Sequence, residues 1–396
     1  MTKQVENKFI PYGHQQIDQD DIDAVISVLQ SDYLTTGPEV NRFEAAVANY
    51  VGTKYAVAFS NGTAALHGAC YAADIQEDDE VITSPMTFVA SSNCVLYMGA
   101  NPVFADIDPK TYNIDPIEIS KKITDKTKAI IPVDFTGQPC ELDKIKEIAT
   151  KYNLVVIEDA AHALGAEYKG RKVGSISDMT MFSFHPVKHI TTGEGGIITT
   201  NNKKYYEKLM EFRSHGITRD RTKLEEDHGP WYYEMQSLGY NYRMTDIQAA
   251  LGTSQLNKID GFLKNRKAIV EAYDEAFASI SAVKTPFQKE YNDSSWHLYV
   301  ISLNLDKLIV SRKKIFEELR KANIGVNVHY IPVYYQPFYQ ERGFQKGICP
   351  NSEQLYETII TLPLFPSMTK HEVKYVVENV ISIVTNYTKS GWDDFK

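Results

Sequence analysis

The sequence predicts an α/β fold, with a mostly parallel central sheet, helices on both faces and a smaller C-terminal α/β domain. Short apolar runs alternate with helix-length amphipathic segments, which is typical of a parallel sheet covered by helices. The length of 396 residues corresponds to about two or three domains. The pattern changes after about residue 257, so we place a large domain with an N-terminal arm at residues 1–256 and a small domain at residues 257–396.

The N-terminal elements follow from the spacing of apolar residues. Helical spacing begins at Ile22 and again at Phe43, with a break between them at Gly37. An apolar run at Tyr55–Phe59, a small-residue turn and a helix-compatible segment form the first strand–turn–helix unit. Further strand-like runs lie at residues 80–83, 102–105, 129–133 and 154–157.

The next two apolar runs depart from this alternation. Residues 179–184 and 196–200 are joined by a glycine-rich link that is too short for a helical crossover, so we expect an antiparallel pair. We place the domain boundary within a helix. The small domain should then contain a long helix, a strand-like run, a second helix and a proline- and tyrosine-rich loop, at residues 256–280, 296–303, 312–322 and 329–339.

Composition and charge narrow the class of function. The chain has 42 Lys and Arg residues against 51 Asp and Glu residues, a net charge of −9, whereas proteins that bind nucleic acid or anionic membranes need a basic surface. Four scattered cysteines without a CxxC pair indicate neither a disulfide framework nor a zinc site. No apolar signal region or membrane-spanning run is evident, so we expect a soluble, cytoplasmic protein that acts on small molecules without a metal.

Three places where a predicted strand ends carry candidate chemistry, because open α/β folds bind ligands there. The turn at residues 60–63 opens a helix and offers N–H groups, a glycine and hydroxyls to a phosphate, with an ordinary capped turn as the alternative. Asp159 ends a hydrophobic strand and supplies either a fixed negative charge or a helix N-cap. Lys188 lies between an apolar strand and a glycine-rich turn, where desolvation would lower its pKa and favour a nucleophilic amine, unless it is a solvated surface lysine.

Two weaker patterns occur in the same stretch. The glycines at residues 193–196 lack the third glycine of a dinucleotide-binding fingerprint and lead into a strand. His185 and His189 are four residues apart, but Pro186 disrupts the helix that would bring them to one metal ion. Neither pattern indicates a site.

Eight segments, in this order, resemble the DegT/DnrJ/EryC1/StrS family of sugar aminotransferases, which use pyridoxal 5′-phosphate (PLP) on the fold type I aminotransferase scaffold. The resemblance covers nearly the whole chain and implies the same scaffold and cofactor. The segments are IPYG at 10–13, LTTGP at 34–38, FSNGTAAL at 59–66, SPMTFVASSN at 84–93, EDAAHALGAEY at 158–168, SFHPVKHITTGEGG at 183–196, GYNYRMTDIQAALG at 239–252 and LPLFPSMT at 362–369.

The resemblance implies a role for each matching residue around the cofactor. Lys188 matches the lysine that is joined covalently to PLP and later transfers a proton, and Asp159 matches the carboxylate that keeps the pyridinium nitrogen protonated. Phe88 takes the position of the aromatic side chain stacked on the ring, and His162 packs on the other side. In the family, the phosphate holder that Asn241 matches reaches in from a neighbouring subunit, so we expect a homodimer with shared active sites. The phosphate holders match Gly62, Thr63, Ser183 and Asn241.

Three further segments are similar to those of family members that act in pseudaminic acid biosynthesis, at residues 133–142, 231–243 and 328–339. This similarity implies transfer of an amino group from glutamate to C4 of a UDP-linked 4-keto-6-deoxy-N-acetylhexosamine, on a pathway to cell-surface polysaccharide or glycosylated flagellin. The substrate-binding residues would be Tyr12, Asp32, Tyr33, Leu34, Thr35, Arg243, His329 and Tyr330.

Other functions stay open at this point. The substrate is alternatively another nucleotide-linked 4-ketosugar, of the perosamine, viosamine, bacillosamine or legionaminic type. A PLP-dependent sugar dehydrase of the same family would carry histidine in place of Lys188, whereas His189 follows one residue later here. A non-catalytic ligand-sensing protein on this scaffold would have lost part of the catalytic set, and no piece of that set is missing from the sequence.

Overall fold

The computed structural model of the protein describes residues 8–389. The strands in this part of the chain are β1 (Tyr55–Phe59), β2 (Glu80–Thr83), β3 (Asn101–Phe104), β4 (Thr127–Ile131), β5 (Val155–Asp159), β6 (Glu167–Tyr168), β7 (Arg171–Lys172), β8 (Met179–Ser183), β9 (Gly196–Thr200), β10 (Ile217–Thr218), β11 (Glu234–Met235), β12 (Val283–Lys284), β13 (Asn292–Asp293), β14 (Tyr299–Leu303) and β15 (Ile359–Leu362). The α-helices are α1 (Gln19–Leu29), α2 (Pro38–Val51), α3 (Gly62–Ala72), α4 (Ala90–Leu96), α5 (Pro116–Lys122), α6 (Leu142–Tyr152), α7 (Lys203–Phe212), α8 (Asp246–Leu256), α9 (Ile259–Phe277), α10 (Arg312–Lys321), α11 (Pro337–Glu341), α12 (Pro350–Thr358) and α13 (Lys370–Asn386).

The central sheet has seven strands in the order β1-β9-β8-β5-β4-β2-β3. From β3 to β8 all neighbouring strands pair parallel, whereas β9 pairs antiparallel with both β8 and β1. The predicted α/β fold with a mostly parallel sheet is therefore confirmed. The antiparallel pair predicted for the runs at residues 179–184 and 196–200 is also confirmed, as β8 and β9.

The strands at the centre of the sheet are buried on both faces, which explains their nearly continuous apolar sequences. Neighbouring residues of β5 show this directly, because Ile157 belongs to a core that includes residues of α3, α4 and α7, whereas Val156 belongs to a core that includes residues of α5 and α6. Alternate side chains of a strand point to opposite faces, so Glu158 and Asp159 also face opposite sides of the sheet.

A second sheet, with the antiparallel order β12-β14-β15, packs with α9, α10 and α13 around its own hydrophobic core. The N-terminal arm contacts this core through Ile10, which forms a β-bridge with Ile324. The boundary between residues 256 and 257 stays a prediction, and it falls in the gap between α8 and α9. No helix within residues 8–389 is long and apolar enough to cross a membrane.

Several elements differ from their predicted bounds. The helix expected at residues 256–280 is shorter at both ends, because α8 ends at Leu256 and α9 runs from Ile259 to Phe277. β14 starts three residues later than the predicted run, since Trp296 has a left-handed backbone with φ of 52°. The loop expected at residues 329–339 contains the start of α11, which has Pro337 in its first turn. β3 and β4 are shifted towards the N-terminus relative to the predicted apolar runs.

Candidate active site

A cavity of about 1010 Å³ opens where β5 and β8 end. Its other walls come from the N-terminus of α3 and from residues 327–330, next to β15 in the second sheet. The cavity therefore joins the carboxyl edge of the parallel sheet to the C-terminal part of the chain, which is where an open α/β fold binds ligands. The predicted site residues that line it are Tyr12, Gly62, Thr63, Phe88, Asp159, His162, Ser183, Lys188, His329 and Tyr330.

The other predicted site residues do not line this cavity in their own chain. Residues 32–35 form an exposed segment between α1 and α2, where Tyr33 lines a separate groove formed with α8. Asn241 is exposed and forms a β-bridge with Ser214. Arg243 lines a smaller hollow of about 200 Å³. The predicted residues that the structure leaves outside the cavity are Asp32, Tyr33, Leu34, Thr35, Asn241 and Arg243.

Lys188 lies in the loop between β8 and β9, and its side chain lines the cavity. Its Nζ atom is 3.4 Å from Nε2 of His297. Burial lowers the pKa of Lys188 to about 8, and the negative charge of Asp159 acts in the opposite direction. More of the amine is therefore neutral near physiological pH than in an ordinary lysine, and the neutral form is the one that a nucleophile requires.

Asp159 is the last residue of β5 and is only 5% exposed. The hydroxyl of Ser91 donates a hydrogen bond of 2.6 Å to its Oδ2 atom, and the N–H of Ala161 donates one of 3.1 Å to Oδ1. Burial raises the pKa of Asp159, whereas the two donors and the charge of Lys188 favour the ionised form. A buried carboxylate in this position is suited to pair with a cationic group of a ligand.

His162 follows β5 and is buried against His297, with ring centroids 4.4 Å apart. Its Nε2 atom is 3.2 Å from the hydroxyl of Tyr330, whereas its Nδ1 atom is buried and has no hydrogen-bond partner among residues 8–389. Burial, together with the positive charge of Lys188, lowers the pKa of His162 well below its usual value. The ring is therefore neutral, and Nδ1 is available to a polar group of a ligand.

The N-terminus of α3 forms a cradle at the edge of the cavity. Asn61 caps the helix, because its Oδ1 atom accepts a hydrogen bond of 2.8 Å from the N–H of Ala64. The N–H groups of Gly62 and Thr63, at the first two helical positions, have no acceptor within the helix. A Cβ atom on Gly62 would come within 3.3 Å of the Cβ of Ser183, so glycine keeps the cradle open. The N–H groups, the helix dipole and the nearby hydroxyls suit a phosphate.

Phe88 lies between β2 and α4 and lines the cavity wall. Its side chain is 60% exposed, which is unusual for a large apolar residue. The exposed ring lies three residues before Ser91, the residue that donates to Asp159. An aromatic face that is open to a cavity can stack on a planar ligand ring. Phe88 therefore has the surroundings expected of the stacking residue.

These residues fit the PLP cofactor that the sequence predicts. Three groups of the cavity have no partner among residues 8–389: Nδ1 of His162, the open ring of Phe88 and the N–H groups at Gly62. A polar ring substituent, an aromatic ring and a phosphate would supply these partners. Lys188 and Asp159 add an amine of lowered pKa and a buried carboxylate to the same cavity.

Three polar residues next to the predicted set were missed by the sequence reasoning. His297 contacts Lys188 from 109 positions further along the chain, in an apolar strand-like segment where a lone histidine is the only signal. Thr87 and Ser91 lie on either side of Phe88, which is the predicted site residue of the segment at 84–93, and their hydroxyl oxygens are 2.7 Å apart. The only sequence signal for Thr87 and Ser91 is their place around Phe88, and no local pattern reveals the contact of His297.

The weaker sequence patterns do not form additional sites. His189 does not line the cavity, and its Nε2 atom is 3.1 Å from the backbone carbonyl of Ser295. The glycines at residues 193–196 lead directly into β9. Within residues 8–389, no group of three or more His, Cys, Asp or Glu side chains is placed to hold a metal ion.

Comparison with known proteins adds an independent line of evidence. Residues 15–381 match the DegT/DnrJ/EryC1/StrS aminotransferase family. The chain is 42% identical to the spore coat polysaccharide biosynthesis protein SpsC of Bacillus subtilis, over 96% of this chain and 98% of that protein. It is 40% identical to a UDP-4-amino-4,6-dideoxy-N-acetyl-beta-L-altrosamine transaminase of Campylobacter jejuni, over 96% of this chain and 99% of that one. Among solved structures, PseC of Helicobacter pylori, an aminotransferase involved in the biosynthesis of pseudoaminic acid, superimposes with a TM-score of 0.89 at 34% identity, over 96% of this chain and 100% of that one.

Proposed function

Because the chain belongs to the DegT/DnrJ/EryC1/StrS aminotransferase family, whose members are PLP-dependent sugar aminotransferases, we propose that it transfers an amino group from glutamate to C4 of a UDP-linked 4-keto-6-deoxy-N-acetylhexosamine. The family, the fold type I scaffold, the enzyme class and the PLP cofactor predicted from the sequence are confirmed. The sugar, the donor, the subunit arrangement and the roles of single residues are the content of the proposal.

The observation that carries the proposal is the meeting of Lys188, Asp159 and the α3 cradle in one cavity. Bound PLP supplies an electron sink for the bonds that change at Cα of the donor and at C4 of the sugar. The amine of Lys188 takes the proton from Cα of the donor and, in the second half of the reaction, gives a proton to C4 of the sugar. Its pKa of about 8 suits both directions of transfer.

The remaining residues bind and orient. Asp159 places a negative charge against the pyridinium nitrogen and so keeps that nitrogen protonated. Phe88 and the neutral ring of His162 hold the two faces of the cofactor. The phosphate is bound by the N–H groups and hydroxyls of the α3 cradle, at Gly62, Thr63 and Ser183.

The size and lining of the cavity support a large, polar second substrate. Its volume of about 1010 Å³ is at the upper end of ordinary ligand pockets and leaves room beside the cofactor. Tyr12 and His329 line it, with ring centroids 5.3 Å apart, and burial lowers the pKa of His329 to about 3. Tyr12 is therefore a neutral hydrogen-bonding group suited to a sugar hydroxyl or amide group. The neutral ring of His329 is held in the wall by Thr361, at 2.8 Å from Nδ1, and by Asn327, at 3.3 Å from Nε2. The transaminase of Campylobacter jejuni and PseC of Helicobacter pylori support the choice of sugar.

The predicted residues outside the cavity act, in this proposal, on the site of a second subunit. Asn241 lies at the surface of its own chain, and Arg243 lines a hollow separate from the cavity, so a partner subunit would be needed to bring them to an active site. The stretch before them carries exposed apolar side chains, which supports an interface between copies of the chain. These side chains are Trp231, Tyr233, Met235 and Leu238.

The substrate assignment is tested by incubating the holoenzyme with glutamate and a panel of UDP-, GDP- and dTDP-linked 4-ketosugars. We expect amination to be fastest with the UDP-linked 4-keto-6-deoxy-N-acetylhexosamine, as detected by mass spectrometry of the amino sugar. Preference for a GDP- or dTDP-linked sugar would replace this substrate by one of the perosamine or viosamine type. Absence of an amino sugar with every member of the panel would overturn the proposal.

A further inference from the structure

Two hydroxyl groups form a short chain from the cavity wall to Asp159. Thr87 lines the cavity, and its Oγ1 atom is 2.7 Å from Oγ of Ser91. Ser91 Oγ is in turn 2.6 Å from Oδ2 of Asp159. All three side chains are buried, with exposed fractions of 3%, 0% and 5% in this order. None of the roles described above requires either hydroxyl.

The direction of the protons along this chain follows from the donors available. An ionised carboxylate only accepts hydrogen bonds, so the single hydroxyl proton of Ser91 must point to Asp159. The other acceptor near Ser91 is the carbonyl of Phe88, at a longer distance of 3.3 Å. Because the only hydroxyl proton of Ser91 is in the hydrogen bond to Asp159, Ser91 accepts a hydrogen bond from Thr87. The order of donation is therefore Thr87 to Ser91 to Asp159.

Asp159 depends on these donors because burial opposes its charge. The charge of Lys188 favours the ionised carboxylate, but no Lys, Arg or His nitrogen among residues 8–389 forms an ion pair with Asp159. Apart from Ser91, the one donor to its side chain within the described part of the chain is the N–H of Ala161. Hydrogen bonds to a charged group are the strong ones, so the short bond from Ser91 is the largest single local contribution to keeping the charge.

We propose that Ser91, supported by Thr87, is a positioning residue that keeps Asp159 ionised and aims its carboxylate at the ring nitrogen of PLP. This inference rests on the proposed role of Asp159, but on no particular sugar or amino donor. It gives a role to two of the buried hydroxyl residues in α4 and the segment before it.

The chain contains a matched pair of variants for the test. Ser91→Ala removes the hydroxyl that contacts Asp159, whereas Ser92→Ala removes the next one in the same helix. Ser92 is equally buried, but its hydroxyl pairs with the hydroxyl of Tyr339 at 2.7 Å and not with Asp159. A loss caused only by packing would therefore appear in both variants.

Two measurements that need no turnover report on the proposal. We expect Ser91→Ala to bind PLP at least about tenfold more weakly in a fluorescence titration, since it loses a bond to a charged group, and Ser92→Ala to bind as the wild type does. The second measurement is the 15N NMR chemical shift of PLP labelled at the ring nitrogen. In Ser91→Ala, but not in Ser92→Ala, this nitrogen should lose its proton at a pH about one unit lower than in the wild type. Thr87→Val should change the PLP affinity and the ring-nitrogen titration in the same direction but less. Ser91→Thr keeps a hydroxyl and should show wild-type values of both.

Equal losses in Ser91→Ala and Ser92→Ala, or a ring-nitrogen signal that is unchanged in Ser91→Ala, would overturn the positioning role. These results are separate from those of the sugar panel. If every 4-ketosugar fails while the two serine variants differ as expected, the proposed substrate is wrong and the role of Ser91 stands. If the expected 4-ketosugar is aminated and the two serine variants do not differ, the proposed substrate stands and the role of Ser91 is wrong.

Discussion

At the scale of single residues, the chemistry depends on how burial changes the amine of Lys188. Burial lowers its pKa to about 8, and the charge of Asp159 limits that effect. We expect the Lys188 amine of the cofactor-free protein to react with an amine-modifying reagent with a half-maximal rate near pH 8. The rate is measured for each lysine by peptide mass spectrometry across a pH series.

Two comparisons sharpen this prediction. Asp159→Asn should move the midpoint of Lys188 below 8, because the charge that raises the pKa is removed. Lys169 is the internal control, since its hydrogen bond to Asp143 raises its pKa to about 12. A Lys188 midpoint at 10 or above, close to that of an ordinary lysine, would contradict the buried environment described for the amine.

Single residues also show why the sequence predicted some of the site and not the rest. Lys188 and Asp159 were found because each follows an apolar strand, and strand ends of one parallel sheet meet at one edge. His297 was not found because its contact with Lys188 joins positions 109 residues apart and depends on how the second sheet is docked. A pattern along the chain holds no information about that contact.

At the scale of elements, the start of α3 and the start of β9 are in close contact. A Cβ atom on Gly196 would lie 2.5 Å from the backbone oxygen of Asn61 and 2.7 Å from the N atom of Gly62. Gly196→Ala therefore has to push back the cradle that is proposed to bind the phosphate. We expect PLP to bind at least about tenfold more weakly and the unfolding free energy to fall by about 1–3 kcal/mol. Fluorescence titration and chemical denaturation measure the two effects.

The control for this substitution is another glycine in the same fold. Gly261 lies in α9, and a Cβ atom there would meet no atom within 4 Å. Gly261→Ala should leave PLP binding unchanged and raise the unfolding free energy by about 0.5–1 kcal/mol, since alanine favours the helix. Wild-type PLP affinity in Gly196→Ala would show that the cradle does not need this close approach.

Glu158 of β5 faces away from Asp159 and forms a buried carboxyl pair with Asp134, which lies in the segment after β4. Glu158 and Asp134 are fully buried neighbours, and their Oε1 and Oδ2 atoms have no other hydrogen-bond partner among residues 8–389. One proton shared between them satisfies both oxygens. Burial and the neighbouring carboxylate raise the pKa of Asp134 well above its usual value, and burial raises the pKa of Glu158.

The raised pKa values predict a fall in stability at higher pH. The folded protein holds a proton that the unfolded chain releases above about pH 4, so this contribution is complete below that pH and is lost as the pH rises through the folded-state values. As the pH rises from about 5 to about 8, the unfolding free energy of Asp134→Asn should fall less than that of the wild type. The difference between the two falls should be on the order of 1 kcal/mol. The control is Asp125→Asn at an exposed position. Identical pH profiles of denaturation for wild type and Asp134→Asn would exclude a shared proton.

The bounds of the elements were predictable where the apolar pattern is long and regular. β1, β2 and β9 match the predicted runs residue for residue. The break between α8 and α9 was not predicted, because Leu256 and Ile259 on either side of it keep helical spacing and pack in the same hydrophobic core. Helix α11 has five residues, which is too short for a periodic pattern to reveal.

At the scale of the whole molecule, the proposed shared active site predicts complementation between two inactive variants. Lys188→Ala lacks the catalytic amine, and Asn241→Ala lacks the residue proposed to act in the partner's site. When the two are unfolded together and reassembled, half of the dimers are mixed and each mixed dimer has one complete site. We expect about a quarter of the wild-type rate in the sugar assay.

The same experiment distinguishes the alternative in which Asn241 serves its own chain. In that case every site of a mixed dimer lacks either Lys188 or Asn241, and mixing restores no activity. Each variant reassembled alone is the control for residual activity. Arg243→Ala in place of Asn241→Ala tests whether the second residue outside the cavity belongs to the same shared site.

Global charge alone did not identify the ligands. A net charge of −9 disfavours the two anionic ligands of the proposal, PLP and a nucleotide sugar. The cradle at α3, the amine of Lys188 and the proposed contribution of Arg243 act at contact distance, whereas surface carboxylates further away than about 8–10 Å are screened by salt. The local arrangement of the cavity therefore decides what binds, and it became visible only when the strands were assembled.

The central claim is that nitrogen passes from an amino acid to a sugar at the Lys188 cavity. The most direct measurement uses 15N-labelled glutamate and the UDP-linked 4-keto-6-deoxy-N-acetylhexosamine, followed by mass spectrometry and 15N NMR of the product. The wild-type holoenzyme should give an amino sugar that carries the label at C4, and Lys188→Ala should give none. An unlabelled product, a sugar that has lost a hydroxyl without gaining nitrogen, or full activity in Lys188→Ala would contradict the claim.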